Sequence, residues 1–227
     1  MDCMEGMKKI TDNSIDLVLT DIPYDGVNES RGKVIGGKVV KGIREIHKGN
    51  ADLITFELSA FLEELWRVTK GTIIIFCGIG QVSEIYDYYI KRKECTVRQL
   101  IWKKTNPSPM NGQFIYLSGI ENAIWIKKKR SSFNAFCKNT VFEYPIGSSE
   151  MHPTEKNHDL LAELINDNSN VGDVIMDPCS GSGSTLIMAY EMGRKYIGFE
   201  LDETYYKKAR ARLDSVTAQM NIFDFIG

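Results

Sequence analysis

Asp21-Ile22-Pro23-Tyr24 puts a carboxylate, a main-chain carbonyl at Ile22, a rigid proline and an aromatic ring within four residues. An amine attached to an aromatic ring is a poor nucleophile, because its lone pair is delocalised into the ring. Acceptors aimed at its N–H bonds favour localising that lone pair and stabilise the charge that develops during attack. Asp21 offers a carboxylate for this purpose, and the Ile22 carbonyl could offer a second acceptor. Pro23 stiffens the segment, and Tyr24 presents a face on which a flat ring can stack. Turns after strands also often contain Asp and Pro, so the tetrapeptide taken alone is better read as a structural turn, and its position is what points to chemistry.

A second group of residues suits a ligand with phosphate-like or sugar hydroxyl groups. Val174 to Thr185 (VIMDPCSGSGST) reads as a strand, a glycine-rich turn and the start of a helix. Glycines at such a turn let the backbone approach a ligand closely, and the helix start supplies free N–H groups. The next strand is expected to span Tyr196–Glu200, with Glu200 beside the turn, where a carboxylate can accept from both hydroxyls of a ribose. Leu186 stands where a dinucleotide fingerprint needs its third glycine. The turn alone does not tell a methyl donor from a nicotinamide, nor a ligand site from a structural turn.

These groups need a scaffold that brings strand ends together. Ser14–Asp21 reads as a buried strand, Thr72–Cys77 as an interior one, and Val97–Lys103, Ile120–Lys127 and Asp173–Asp177 as further strands. Apolar spacing at Phe56, Ala60, Phe61, Leu65 and Val68 predicts a helix over 55–69. Further helices are expected over 82–92, 158–167, 184–192 and 203–219. Residues 128–150 are polar and show no period. The alternation predicts an open, doubly wound, mostly parallel α/β sheet with helices on both faces and one antiparallel edge strand. Ligands bind such sheets outside the carboxyl ends of strands, so Asp21–Tyr24 and the glycine turn should open on one crevice.

The 227 residues fit one domain, and the 43% of hydrophobic residues suffice for a core. A formal charge of -2 means that any nucleic-acid contact must come from a local basic patch. Five scattered cysteines without a C-x-x-C pair, and three histidines, offer neither a zinc site nor a disulfide framework. With no long apolar stretch and no signal-peptide pattern, a cytoplasmic protein without a membrane segment is expected.

In this order the motifs resemble those of the permuted (β-class) N6-adenine/N4-cytosine DNA methyltransferases, over nearly the whole chain. Asp12–Tyr24 resembles the segment leading into that family's D-P-P-Y loop, with Ile22 in place of the first proline. Asp2-Cys-Met-Glu-Gly is similar to its G-D-C-L-E-G segment, although the strand that normally leads into this acid does not precede Asp2. Either the sheet lacks that edge strand or Asn221–Ile226 fills it. His152-Pro-Thr-Glu-Lys156 resembles H-P-T-x-K-P, with Asn157 in place of the last proline. Asp177–Thr185 resembles D-P-F-x-G-S-G-T-T, and Tyr196–Glu200 resembles the ribose-binding strand.

The resemblance implies S-adenosylmethionine as methyl donor and a base flipped out of DNA as acceptor. It implies Asp21, Ile22, Pro23 and Tyr24 as catalytic residues. Donor contacts would come from Asp2, Thr154, Lys156, Asp177, Pro178, Gly181, Gly183, Ser184, Thr185 and Glu200. An aspartate at the start of the loop resembles the adenine-N6 enzymes, and cytosine N4 is the alternative. RNA and protein-glutamine enzymes share the loop, but the related protein enzymes place the glycine motif before it.

Residues 25–50 read as a long, mobile basic loop. Its Arg31, Lys33, Lys38, Lys41 and Arg44, placed just after the catalytic loop, are expected to contact DNA phosphates. Sequence recognition would fall to residues 104–150, where Phe114, Tyr116, Phe133 and Phe136 are expected in the core. So small a recognition region suggests a short target sequence or a homodimer.

Overall fold

Strands buried on both faces organise the molecule. The computed structural model describes residues 1–24, 34–35, 38–39, 56–109, 114–147 and 156–223. In chain order the strands are β1 (Ile15–Asp21), β2 (Val34–Ile35), β3 (Lys38–Val39), β4 (Thr69–Cys77), β5 (Cys95–Lys104), β6 (Ile120–Lys128), β7 (Val141–Tyr144), β8 (Val174–Asp177) and β9 (Lys195–Gly198). The helices are α1 (Cys3–Met7), α2 (Leu58–Val68), α3 (Val82–Ile90), α4 (His158–Asn168), α5 (Ser184–Glu191) and α6 (Glu203–Phe223). Seven strands form one sheet in the order β7-β5-β6-β4-β1-β8-β9, while β2 and β3 pair only with each other.

Alternation along the central strands divides the core between the two faces. Val18, Ile73, Ile75 and Cys77 point to one side and pack with Phe61, Leu62 and Leu65 of α2 and Ile85 and Tyr89 of α3. Leu17, Leu19, Ile74 and Phe76 point to the other and meet Leu160, Leu161, Leu164 and Ile165 of α4 and Ala189 of α5. An apolar stripe at this spacing is what makes α2 and α4 helical against a sheet. Their starts are fixed by side chains. Glu57 accepts from the Ser59 and Ala60 N–H groups, and Asn157 accepts from that of Leu160. Asn157, the departure from the family's proline, thus caps α4.

The expected doubly wound sheet is present, with corrections of detail. Six strands run one way, and β6 alone is antiparallel to both its neighbours. It lies inside the sheet, between β5 and β4, and not at an edge. The polar stretch 128–150 contains β7, which adds to β5 in parallel through Ile101↔Val141 to Lys104↔Tyr144. At the other margin no strand lies beyond β9 among the described residues, and residues 221–223 belong to α6. No helix among the described residues is long and apolar enough to cross a membrane.

β1 and β4 come unusually close at one point. Their register shifts between Ile15↔Thr69 and Leu17↔Thr72, and a Cβ on Gly71 would lie 1.8 Å from the Asp16 carbonyl oxygen. Asp16 also reaches the far neighbour of β1, its Oδ2 accepting from the Val174 N–H at 3.0 Å.

Candidate active site at the ends of β1 and β8

β1 and β8 are parallel neighbours, with Leu17 opposite Ile175 and Val18 opposite Met176. Their last residues, Asp21 and Asp177, therefore stand at the same edge of the sheet. The Asp21 segment and the glycine turn open on that edge together, as a switch-point crevice requires.

The Asp21 segment is held from β4. The Ile22 N–H donates to the Phe76 carbonyl at 3.2 Å, a bond that a proline at this position would remove. The Ile22 side chain is buried in the core. Gln81, which the sequence motifs did not single out, donates through Nε2 to the Pro23 carbonyl at 3.0 Å. Its Oε1 accepts from the Gly78 N–H at 2.9 Å. A buried amide thus clamps the loop to the β4–α3 connection.

Four charged groups meet beside this loop. Lys156 Nζ lies 2.5 Å from Asp21 Oδ2, 2.8 Å from Glu121 Oε2 and 3.3 Å from the Tyr24 hydroxyl. Lys104 Nζ lies 2.9 Å from Glu121 Oε1. The Tyr24 hydroxyl also lies 3.3 Å from Glu121 Oε2. Lys156 Nζ sits 5.0 Å from the centre of the Phe76 ring. Burial raises the Asp21 carboxyl, against the pull of Lys156. Burial also opposes ionisation of Glu121, but Lys156 and Lys104 hold its carboxylate down at about 2. Burial works against the Lys156 charge as well, yet Asp21, Tyr24 and Glu121 keep it an ammonium. Asp21 Oδ1 is closed off from solvent and has no hydrogen-bond partner among the described residues.

The glycine turn is built as a cradle. Gly181 and Gly183 have φ of 50° and 79°, in the left-handed region that favours glycine, and Gly183 caps α5. Space is open around Gly181, with nothing within 4 Å of where a Cβ would stand. Ser184 and Thr185 form the first turn of α5 and are buried. Asp177 ends β8, with Oδ1 accepting from the Cys179 N–H across Pro178 at 3.1 Å. Burial pushes the Asp177 carboxyl up to about 7, although Thr20 and the Cys179 N–H pull it down.

Glu200 lies two residues past the end of β9, which stops at Gly198 and not at Glu200. Its Oε2 accepts from the Gly181 N–H and its Oε1 from the Asp202 N–H, each at 2.8 Å. Each carboxylate oxygen keeps a second lone pair for a ligand hydroxyl. These residues fit a nucleoside-type methyl donor: a Cβ-free turn for close approach, an acceptor pair for a diol, and a carboxyl within the crevice for a cationic group.

The remaining expected site residues stand as follows. Asp2 caps α1, accepting from the Met4 and Glu5 N–H groups. Thr154, Arg31, Lys33, Lys41 and Arg44 lie outside the described residues, as does most of the 25–50 loop, and Lys38 is described only as backbone of β3. The aromatic expectation for 104–150 is largely overturned. Phe114, Tyr116 and Phe136 are 84%, 102% and 92% exposed, so they are not core residues. Phe133 is half-exposed and meets Trp125 edge-on at 5.6 Å. The short 114–119 segment leads straight into β6 and Glu121, which places Phe114 and Tyr116 near the rim that carries Asp21.

Comparison with known proteins agrees with this geometry. The family model for N6/N4 DNA methylases, described as DNA methylase, matches residues 15–211. The type II methyltransferase M.HinfI of Haemophilus influenzae is 27% identical over 99% of this chain and 70% of its own. The crystal structure of an M1.HpyAVI–SAM complex superposes with a TM-score of 0.68 at 23% identity, over 93% of this chain and 96% of that one. The PvuII DNA methyltransferase, described as cytosine-N4-specific, does so with a TM-score of 0.71 at 16% identity, over 97% and 89%.

Proposed function

Since the chain belongs to the N6/N4 DNA methylase family, we propose that it transfers a methyl group from S-adenosylmethionine to the N6 amino group of an adenine flipped out of DNA. One observation carries this reading: an Asp-Ile-Pro-Tyr acceptor loop and a glycine turn with its own carboxylate share one edge of the sheet. Bound S-adenosylmethionine supplies an electron-poor methyl group on a sulfonium. Asp21 accepts from the target amine, with the Ile22 carbonyl as second acceptor, so that the lone pair is held on nitrogen and aimed at the donor. Gln81 keeps the loop in place through the Pro23 carbonyl, so little reorganisation is needed as charge develops. Tyr24 stacks on the extruded base, a contact worth about 1–3 kcal/mol.

Donor contacts are assigned to Asp2, Thr154, Lys156, Asp177, Pro178, the Gly181–Gly183 turn, Ser184, Thr185 and Glu200. The ribose hydroxyls fall to Glu200. Arg31, Lys33, Lys38, Lys41 and Arg44 are assigned to DNA phosphates, and the exposed Phe114 and Tyr116 to the DNA side of the rim. The aspartate that opens the loop favours adenine. Cytosine N4 is the second reading, favoured by the likeness to the PvuII enzyme.

The test is direct. Purified protein is incubated with DNA and donor labelled in the methyl group, and the DNA is digested to nucleosides. Label in N6-methyldeoxyadenosine is expected. Label in N4-methyldeoxycytidine would move the assignment to cytosine, and label only in RNA or protein would overturn it.

A further inference from the structure

Asp21 is already engaged before any amine arrives, although about a third of its side chain is exposed. Its Oδ1 is enclosed without a partner among the described residues, and its Oδ2 is taken by the Lys156 ammonium. Lys156 Nζ at 2.5 Å takes one of that oxygen's two lone pairs and competes with an incoming N–H for its charge. An ammonium at this point even resembles the positively charged amine formed during methyl transfer. For Asp21 to give the target amine its full acceptor strength, Lys156 must draw back from it, and a buried ammonium cannot leave one carboxylate without another to receive it.

Glu121 is the group in position to do so. Its Oε2 already lies 2.8 Å from Lys156 Nζ, so the transfer needs a small rotation of the lysine and no long excursion. Its other oxygen is anchored by Lys104 at 2.9 Å, and the Tyr24 hydroxyl borders the same path. Glu121 is rigidly presented as well. Its neighbours in β6, Asn122 and Ala123, pair with Cys77 and Phe76 of β4, and Phe76 pairs with Asp21 of β1.

We propose that Glu121 is a positioning residue for the methyl transfer: it is the second seat of Lys156, drawing that ammonium off Asp21 so that the target amine can take its place. This deepens the function proposed above and rests on it. The second seat also keeps the cleft balanced. With both lysines on Glu121, Asp21 faces the amine as an unpaired carboxylate, which is when its acceptor strength is greatest.

The test uses the full chain and the variants E121Q, E121D, K156M and E121Q/K156M, with turnover on DNA measured at saturating donor and donor affinity measured separately by calorimetry. E121Q should lose turnover by about tenfold or more, the size of one charge-assisted hydrogen bond, with donor affinity unchanged. E121D, which keeps the charge, should restore most of that loss. The double variant should turn over like K156M alone, because without Lys156 there is no ammonium for Glu121 to draw off Asp21. Near-normal turnover in E121Q, or losses that multiply in the double variant, would overturn the proposal.

A second measurement does not depend on DNA activity. The 15N-detected signal of the Lys156 ammonium in the free protein should change position and exchange faster with water in E121Q. An unchanged signal would overturn the second seat. If the wild-type chain methylates no DNA while E121Q does disturb this signal, the failure belongs to the functional reading and the lysine's seat stands.

Discussion

The Glu200 carboxylate bridges two backbone N–H groups on opposite sides of the cradle, that of Gly181 in the turn and that of Asp202 ahead of α6. One side chain therefore both shapes the glycine turn and offers lone pairs to whatever the turn holds. Replacing it by alanine should weaken donor binding by about ten- to a hundredfold, the range for hydrogen bonds to a charged group. Turnover at saturating donor should change much less. Calorimetric titration of the donor decides it: unchanged affinity would mean that Glu200 only braces the turn.

Asp21→Ala removes the proposed acceptor while leaving the turn around Gly181 untouched. Turnover should fall by about a hundred- to a thousandfold, as when one preorganised transition-state partner is deleted elsewhere. Donor affinity should survive within a few-fold. A variant with near-normal turnover would show that the amine is held by other groups.

Asp177 ties stability to pH. Its folded-state value of about 7 lies above the ordinary 3.8, and the cause is burial. Between those values the folded chain keeps a proton that the unfolded chain has lost. The stability this provides is complete below the lower value and disappears as pH rises through about 7. Asp177→Asn has no proton to lose, so wild-type stability should fall relative to this variant between about pH 4 and 8, by up to about 4 kcal/mol. Urea unfolding across that range would settle it. Parallel stability curves for the two proteins would contradict the burial argument.

Gly71→Ala tests the close approach of β4 to β1. The obstacle to a Cβ there is the Asp16 carbonyl, a backbone atom in an interior strand that cannot step aside cheaply. A loss of about 1–3 kcal/mol or more is expected by analogy with overpacked cores. Because Asp16 also holds the Val174 N–H of β8, the strain should reach the donor side of the crevice. Thermal unfolding together with donor titration would register both effects.

The sequence motifs located the chemistry where side chains sit on strongly patterned strands. β1 and β4 are read easily, because runs such as Leu17–Leu19 and Ile73–Phe76 are apolar on both faces. The glycine turn is legible as a strand, a turn and a helix start, because Gly181 and Gly183 adopt the left-handed backbone that favours glycine. β7 gave little signal: four residues with Phe142 alone buried do not make a pattern. Nor can a pattern show that β6 inserts between β5 and β4, since pairing order is decided by tertiary packing. Glu121 and Gln81 were silent for a related reason. Each is an ordinary polar residue at an element's end, and only the folded sheet shows Lys156 and Pro23 beside them. The exposed Phe114 and Tyr116 show the converse, since hydrophobic character alone does not decide burial.

Asp16 and Val174, joined across β1 and β8, are 158 residues apart in the chain. A ribosome thus finishes the strand that ends in Asp21 long before it makes the strand that leads into the glycine turn. Until the last third emerges, the apolar flank of β1 that later meets Ile175 has no companion, and closing so distant a contact is slow compared with forming a local one. The newborn chain therefore lacks one side of the proposed crevice until β8 is made, and its half-built sheet carries an open flank in the meantime.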